Sequence, residues 1–287
     1  LSSHITWGFD VLARLDDIVQ GTTRANYVIN REFAGAPHDM MKWAGRYIIN
    51  DDFPNGAFGG DSEANAIRDA VGAYTGTAQA WILPIFSPRS STDIIAAGTI
   101  SDGTTDGNRL CSAIDYKVQH SSHVSYPGTH ILFCYLNVDA GMTLGLPYWT
   151  GWARAVNGYR AFDGHFPFYA GAYLAQNDES LGQRNADVMA FAGGNDPHAA
   201  CHRIWENSPE SINFTYCSSP GPGWGPLGHP PPYVPGHGMN TGVWQYGIDS
   251  GCGGNGIRTM DVDLDSTSPY TNAPFNDNET DYMLWCH

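Results

Sequence analysis

Eight short apolar runs recur along this chain of 287 residues, and stretches with helical spacing lie between several of them. The runs are Ile5–Val11, Trp43–Ile49, Ala80–Phe86, His130–Leu136, Phe166–Tyr173, His202–Trp205, Gly242–Tyr246 and Met260–Leu264. The fourth is almost continuous in apolar residues, the pattern of a strand covered on both faces. Among the intervening stretches, Asp61–Tyr74 sets Ala64, Ile67, Ala70, Val71 and Tyr74 at helical spacing behind a capping Asp61. Gly107–Ser121, Tyr148–Tyr159 and Ser180–Ala192 read the same way. Strands alternating with helices predict βα units, right-handed crossovers and a parallel sheet. Eight such units predict an α/β chain with one domain over residues 1–287, a single (β/α)8 TIM-type barrel. Neither GxGxxG nor GxxxxGKS/T follows an early strand, which weighs against an open nucleotide-binding sheet.

Two segments break the rhythm. Residues 218–238 are nearly all Gly, Pro, Ser, aromatic or His, and they predict an insertion loop, because proline removes donors and glycine costs entropy. Its place after the sixth run puts Trp224 and Tyr233 where barrel sites are built, as candidates to stack on sugar rings. A linker packing its own aromatics is the competing reading. The tail, 266–287, reads as irregular and pinned by Cys286.

Charge narrows the partners. The formal net charge is −15 and only two residues, Lys42 and Lys117, are lysines. Nucleic acid needs clustered Lys and Arg and is excluded as a partner, and an anionic membrane surface is disfavoured. No apolar run reaches the length of a membrane-spanning helix, so no membrane insertion is expected. The chain opens at Leu1 without a basic-then-apolar leader, consistent with a secreted protein whose signal peptide has been removed. An acidic, Gly- and Trp-rich composition suits an extracellular chain that handles neutral, hydroxyl-rich ligands. The six cysteines, Cys111, Cys134, Cys201, Cys217, Cys252 and Cys286, form no CxxC pair, so a thiolate metal site is disfavoured and three disulfides are expected. Of the fifteen pairings open to them, joining sequence neighbours gives Cys111–Cys134, Cys201–Cys217 and Cys252–Cys286.

Carboxylates mark the strand ends. Asp10 closes Trp7–Asp10, Asp139 closes Leu136–Asp139, and Asp261, Asp263 and Asp265 alternate through the last run. A charge beside an apolar run must reach solvent or a partner, because burying it alone is costly. Carboxylates gathered where parallel strands end are the material of glycoside hydrolysis, which needs a proton donor at the leaving oxygen and a second group at the sugar carbon. Asp10, Asp139, Asp263 and Glu206 are the catalytic candidates, while Tyr47, Tyr135, Trp244 and Asp265 join Trp224 and Tyr233 as candidates for substrate binding. For each aspartate the plain alternative is a helix cap or turn former, and for each aromatic it is core packing. His198 and His202 stand four apart but lack a third ligand, so no metal site is expected.

The order Gly8-Phe9-Asp10, Gly45-Arg46-Tyr47, Asn137-Val138-Asp139, Trp244-Gln245-Tyr246 and Val262-Asp263-Leu264-Asp265 resembles the family-25 lysozyme superfamily, especially its glycoside-hydrolase-like branch. The resemblance spans roughly Trp7 to Asp265. It implies a barrel acting on N-acetylated aminosugar polymers such as peptidoglycan, without a cofactor. It matches Asp10 to the first-strand aspartate and Asp263 to the aspartate of the last-strand Val-Asp-Leu-Asn pattern. On the fourth strand the family carries Asp-x-Glu, whereas this chain reads Asn137-Val138-Asp139, which leaves Glu206 as a reserve acid. Two functions therefore stand open at this point. One is a secreted hydrolase of a glycan; the other is a silent relative that binds glycan or self-associates as an extracellular structural subunit.

Overall fold

The computed structural model describes residues 7–11, 41–50, 80–87, 95–120, 124–138, 141–162, 164–175, 179–207, 240–247, 262–267 and 282–286, with β1, β2 and β10 given as backbone. Its strands are β1 (Trp7–Val11), β2 (Met41–Asn50), β3 (Ala80–Ser87), β4 (Val124–Ser125), β5 (Leu132–Val138), β6 (Arg160–Ala161), β7 (Phe166–Ala175), β8 (Arg203–Asn207), β9 (Asn240–Gly247), β10 (Val262–Thr267) and β11 (Leu284–Cys286). The long helices among the described residues are α1 (Ile100–His120), α2 (Leu146–Gly158) and α3 (Glu179–Asn195). Each of the eight apolar runs contains strand residues, and the fold is α/β. The helix expected over Asp61–Tyr74 and the insertion at 218–238 lie outside the described residues. Two parts of the tail are regular after all: residues 266 and 267 belong to β10, and Leu284–Cys286 forms β11.

The strand pairing returns to its start. It runs β1–β2–β3–β5–β7–β8–β9–β10, and β10 pairs again with β1. The junctions from β1 through β9 are parallel. Both junctions made by β10 are antiparallel, which corrects the expectation of a wholly parallel sheet. Alternation and apolarity identify a strand, but they carry no information about its direction.

Alternate residues separate an inside from an outside. Ile85, Phe133, Tyr135, Tyr173, Trp205 and Val243 form one buried cluster inside the ring, joined by Tyr282 and Met283 from the tail. On β5 every residue is buried, as its continuous apolar run required, with Leu132, Cys134 and Leu136 in the series opposite Phe133 and Tyr135. Gly171 on β7 makes room for this packing. A Cβ there would lie 2.9 Å from the Tyr135 ring and 3.0 Å from the Arg203 carbonyl oxygen.

Outside, α1 and α2 cross closely. A Cβ on Gly103 would fall 2.0 Å from the Tyr148 carbonyl oxygen, and one on Gly151 2.0 Å from that of Ile100. The start of α1 is fixed by a capping box. The Thr99 N–H donates to the Asp102 carboxylate at 2.7 Å, and the Asp102 N–H donates to Thr99 Oγ1 at 3.2 Å. α2 is tied to β7 and to the turn at Pro197–Ala199 by Asn157. Its Nδ2 donates to the His198 and Ala200 carbonyls, both at 2.9 Å, and its Oδ1 accepts from the Ala170 N–H at 2.8 Å.

Cys111, Cys134 and Cys201 are free, buried thiols. The expected Cys111–Cys134 and Cys201–Cys217 bridges are therefore not formed here. Each thiol behaves as a small apolar side chain, and burial pushes Cys201 up to about 12. Cys217 and Cys252 lie outside the described residues, and Cys286 is placed on β11. No helix among the described residues is long and apolar enough to cross a membrane.

Candidate functional site

Parallel strands share one end, and the carboxyl ends of β1 to β9 define the mouth of the ring. Because β10 runs the other way, its first residues rather than its last lie at that mouth. In the β1–β10 ladder Asp10 stands directly opposite Asp263, and Gly8 directly opposite Asp265. Two carboxylate residues from near the ends of the chain are thus neighbours in the backbone ladder. Partners directly opposite in an antiparallel pair share one face, with Cβ atoms roughly 4.5–5.5 Å apart. That face is the inner one by register: Val243 of the interior cluster pairs with Thr267, and Gln245 pairs with Asp265.

The same register adds amides. Asn207 pairs with Gln245, which pairs with Asp265, so β8, β9 and β10 carry one polar row in the inner series. On β5 the inner series runs Phe133, Tyr135, Asn137, and Asn137 pairs with Tyr173 of β7. Asn137 is only 6% exposed, a buried amide at the mouth end of a strand that is otherwise apolar apart from the Tyr135 hydroxyl. Asn207 and Gln245 were not singled out from the sequence. An isolated amide in a strand looks the same whether it faces solvent or lines an interior, and only closure of the ring separates the two cases.

The other candidates are distributed as follows. Asp139, Trp224 and Tyr233 lie outside the described residues. Tyr135 is fully buried, edge-on to Trp205 at 6.0 Å, so it packs the interior instead of offering a platform to a sugar. Glu206 follows Trp205 on β8 and pairs with Leu174 and Trp244, which puts Glu206 and Trp244 in the series that alternates with the inner one. Tyr47 pairs with Pro84, one step out of phase with Ile48 and Ile85, and Ile85 is interior. The register therefore brings Asp10, Asp263 and Asp265 together and separates them from Glu206, Trp244 and Tyr47.

Toward the opposite end the interior is aromatic and holds a cation. Arg203 is 3% exposed, and its guanidinium lies 4.9 Å from the centre of the Phe133 ring. Beside it His202 meets the Tyr169 ring edge-on at 4.7 Å. Burial, together with the Arg203 charge, lowers His202 to about 4, so the imidazole is neutral at physiological pH. Beneath α1, the Asp115 carboxylate accepts hydrogen bonds from Tyr126 at 2.9 Å and Tyr159 at 3.1 Å. Burial and that carboxylate raise both phenols. His198 lies in the Pro197–Ala199 turn, and His202 lies outside it, just before β8. Among the described residues no group of three or more His, Cys, Asp or Glu is arranged to hold a metal ion.

No protein-family model matches the chain, and no curated protein matches it. Solved structures do. An uncharacterized protein of B. stearothermophilus aligns over 97% of this chain and 99% of its own length, at 14% identity and a TM-score of 0.51. That likeness shows the fold alone. The Tat-secreted protein Rv2525c of Mycobacterium tuberculosis, solved in complex with L-tartrate, aligns over 96% of this chain and 98% of its own, at 14% identity and a TM-score of 0.42. Its HEPES complex aligns over the same shares at 12% identity and a TM-score of 0.41.

Proposed function

We propose that this chain is a secreted glycoside hydrolase-like protein that binds and cleaves a polysaccharide at the mouth of a (β/α)8 TIM-type barrel with one reversed strand. The observation that carries this reading is the direct ladder pairing of Asp10 with Asp263 at the end of the ring where the parallel strands finish. Hydrolysis of a glycosidic bond needs two carboxyl groups about 5–5.5 Å apart for retention of configuration, or about 6.5–9.5 Å apart for inversion. The Cβ atoms of residues directly opposite in an antiparallel ladder lie roughly 4.5–5.5 Å apart, close enough for their carboxyl groups to act as a pair. One carboxyl protonates the leaving oxygen while the other stabilises or attacks the sugar carbon, and the chemistry calls for no cofactor.

The remaining groups fit a hydroxyl-rich ligand. Asn137, Asn207 and Gln245 offer both donors and acceptors, which suits sugar hydroxyls and acetamido groups such as those of an N-acetylated aminosugar. Asp265 sits one inner position deeper than Asp263 and serves as an acceptor for a hydroxyl. Asp139, immediately after β5, is the third carboxylate of the proposed site, and Trp224 and Tyr233 are its stacking residues. The acidity of the chain and its scarcity of lysine support an extracellular setting and a neutral glycan as partner.

One observation favours a second reading. The buried residue at the mouth of β5 is the amide Asn137, so a carboxylate that the resemblance would place there is missing. A catalytically silent protein that binds glycan, or assembles with its own copies, would tolerate that amide. The two readings part on a panel of chito-oligosaccharides, cello-oligosaccharides and purified peptidoglycan, assayed for release of reducing ends and, separately, for binding. Release that disappears in Asp10→Asn and Asp263→Asn supports the hydrolase. Binding without release in the unmodified protein transfers the reading to the silent relative.

A further inference from the structure

We infer that Asn185, on α3, is a positioning residue for the proposed glycan site, because its carboxamide clamps the rim segment that leads from β5 into α2. The inference rests on the mouth reading given above. The clamp has two points. Asn185 Oδ1 accepts from the Leu144 N–H at 2.9 Å, and Nδ2 donates to the Met142 carbonyl oxygen, also at 2.9 Å. Both bonds are buried: Asn185 is 4% exposed, Met142 7% and Leu144 2%. A third tie comes from the other side, where the Gly145 N–H donates to the Ile95 carbonyl oxygen at 2.6 Å.

The choice of residue is informative. Asn185 lies within α3, flanked by the buried Ala186 and one turn before the buried Met189, where an apolar side chain would serve packing. Asparagine is also a poor helix former in an interior position. An amide accepts from one backbone N–H through its oxygen while its NH2 group donates to a carbonyl two residues away. Aspartate keeps the acceptor and loses the donor, and leucine loses both.

What the clamp holds is the rim beside Asn137. Strand β5 ends at Val138, Gly141 turns with φ +77, and residues 142–144 are gripped before α2 opens at Leu146. A segment fixed this way keeps its backbone groups at one distance from a ligand in the mouth. Freed, it must be ordered at the moment of binding, and that cost weakens the complex. The bound reaction itself is less affected, so loss of the clamp acts on KM more than on kcat.

The test combines amide hydrogen exchange with steady-state kinetics on a chito-oligosaccharide. In Asn185→Leu, exchange across residues 141–145 accelerates roughly tenfold or more relative to the unmodified protein, while α1 amides keep their rates. KM rises by about the same factor and kcat changes less. Asn185→Asp, which sets a buried carboxylate against the Met142 carbonyl oxygen, accelerates exchange and raises KM at least as much as Asn185→Leu. The inference is overturned if exchange at 141–145 is unchanged, or if all helices exchange faster together and kcat falls with the folded fraction. Failure of the glycan reading looks different: the unmodified protein then shows no turnover on the oligosaccharide, while the exchange result still reports on the clamp.

Discussion

The two ends of the ring are made by the same strands and the same inner series of positions, yet they differ in chemistry. At the foot and middle, β5, β7 and β8 contribute Phe133, Tyr135, Tyr173 and Trp205, closed by Tyr282 and Met283. A step or two further along, the same strands and their neighbours offer Asn137, Asn207, Gln245, Asp265 and the opposed Asp10 and Asp263. Buried aromatic rings occupy the described interior, and the polar positions of the same series come at the strand ends. On the proposed function, stability and recognition divide along the axis of the strands, and a substitution should affect one or the other according to its height.

The separation can be broken most directly at the mouth. Asp10→Asn and Asp263→Asn are each expected to reduce reducing-end release on the order of 1,000-fold, with an unchanged melting temperature. A loss of folding equal to the loss of activity would mean that the acids are part of the packing after all. Next in size is an acid-side effect at the foot. His202 is lowered from the usual 6.5 to about 4, so the unfolded chain binds this proton more readily than the folded one. Its contribution is complete above about pH 6.5, fades as pH falls toward about 4, and amounts to at most about 3 kcal/mol. Urea titrations between pH 4 and 7 should show this slope, and His202→Gln should flatten it.

Gly171→Ala sharpens the same contrast. The added methyl meets the Tyr135 ring and the Arg203 carbonyl, so stability should fall by about 2 kcal/mol, while cleavage per folded molecule stays the same. A change in KM from this substitution would show that the aromatic layer reaches the ligand. The smallest expected effect lies outside the ring. Thr99→Ala removes the hydroxyl half of the α1 capping box and should cost about 1 kcal/mol by thermal or chemical denaturation, with no change at the mouth.

Much of this frame was readable from periodicity. The alternation of apolar runs located all eight ring strands, and helical spacing located α2 and α3 to within a few residues. Helix α1 starts at Ile100 rather than at the expected Gly107, and its first turns carry Gly103 and Gly107, where α2 approaches closely. The direction of β10 was invisible, and with it the fact that Asp263 faces Asp10. The carboxylates were noticed as strand ends, but their pairing is a property of ring closure between segments at opposite ends of the chain. Asn185 carried no local signal either, since its two partners lie on a loop some forty residues earlier.

The reversal of β10 has a consequence for where that strand's last residues lie. An all-parallel set of staves would release the chain beyond its last member on the same side as the acids. Here Ser266 lies opposite Trp7, at the far end from Asp10 and Asp263. Leu284–Cys286 pairs with β3 and β4, and Tyr282 and Met283 just before it join the interior cluster. One inverted stave thus ends at the foot of the ring, away from the paired aspartates, where β11 joins the start of β3.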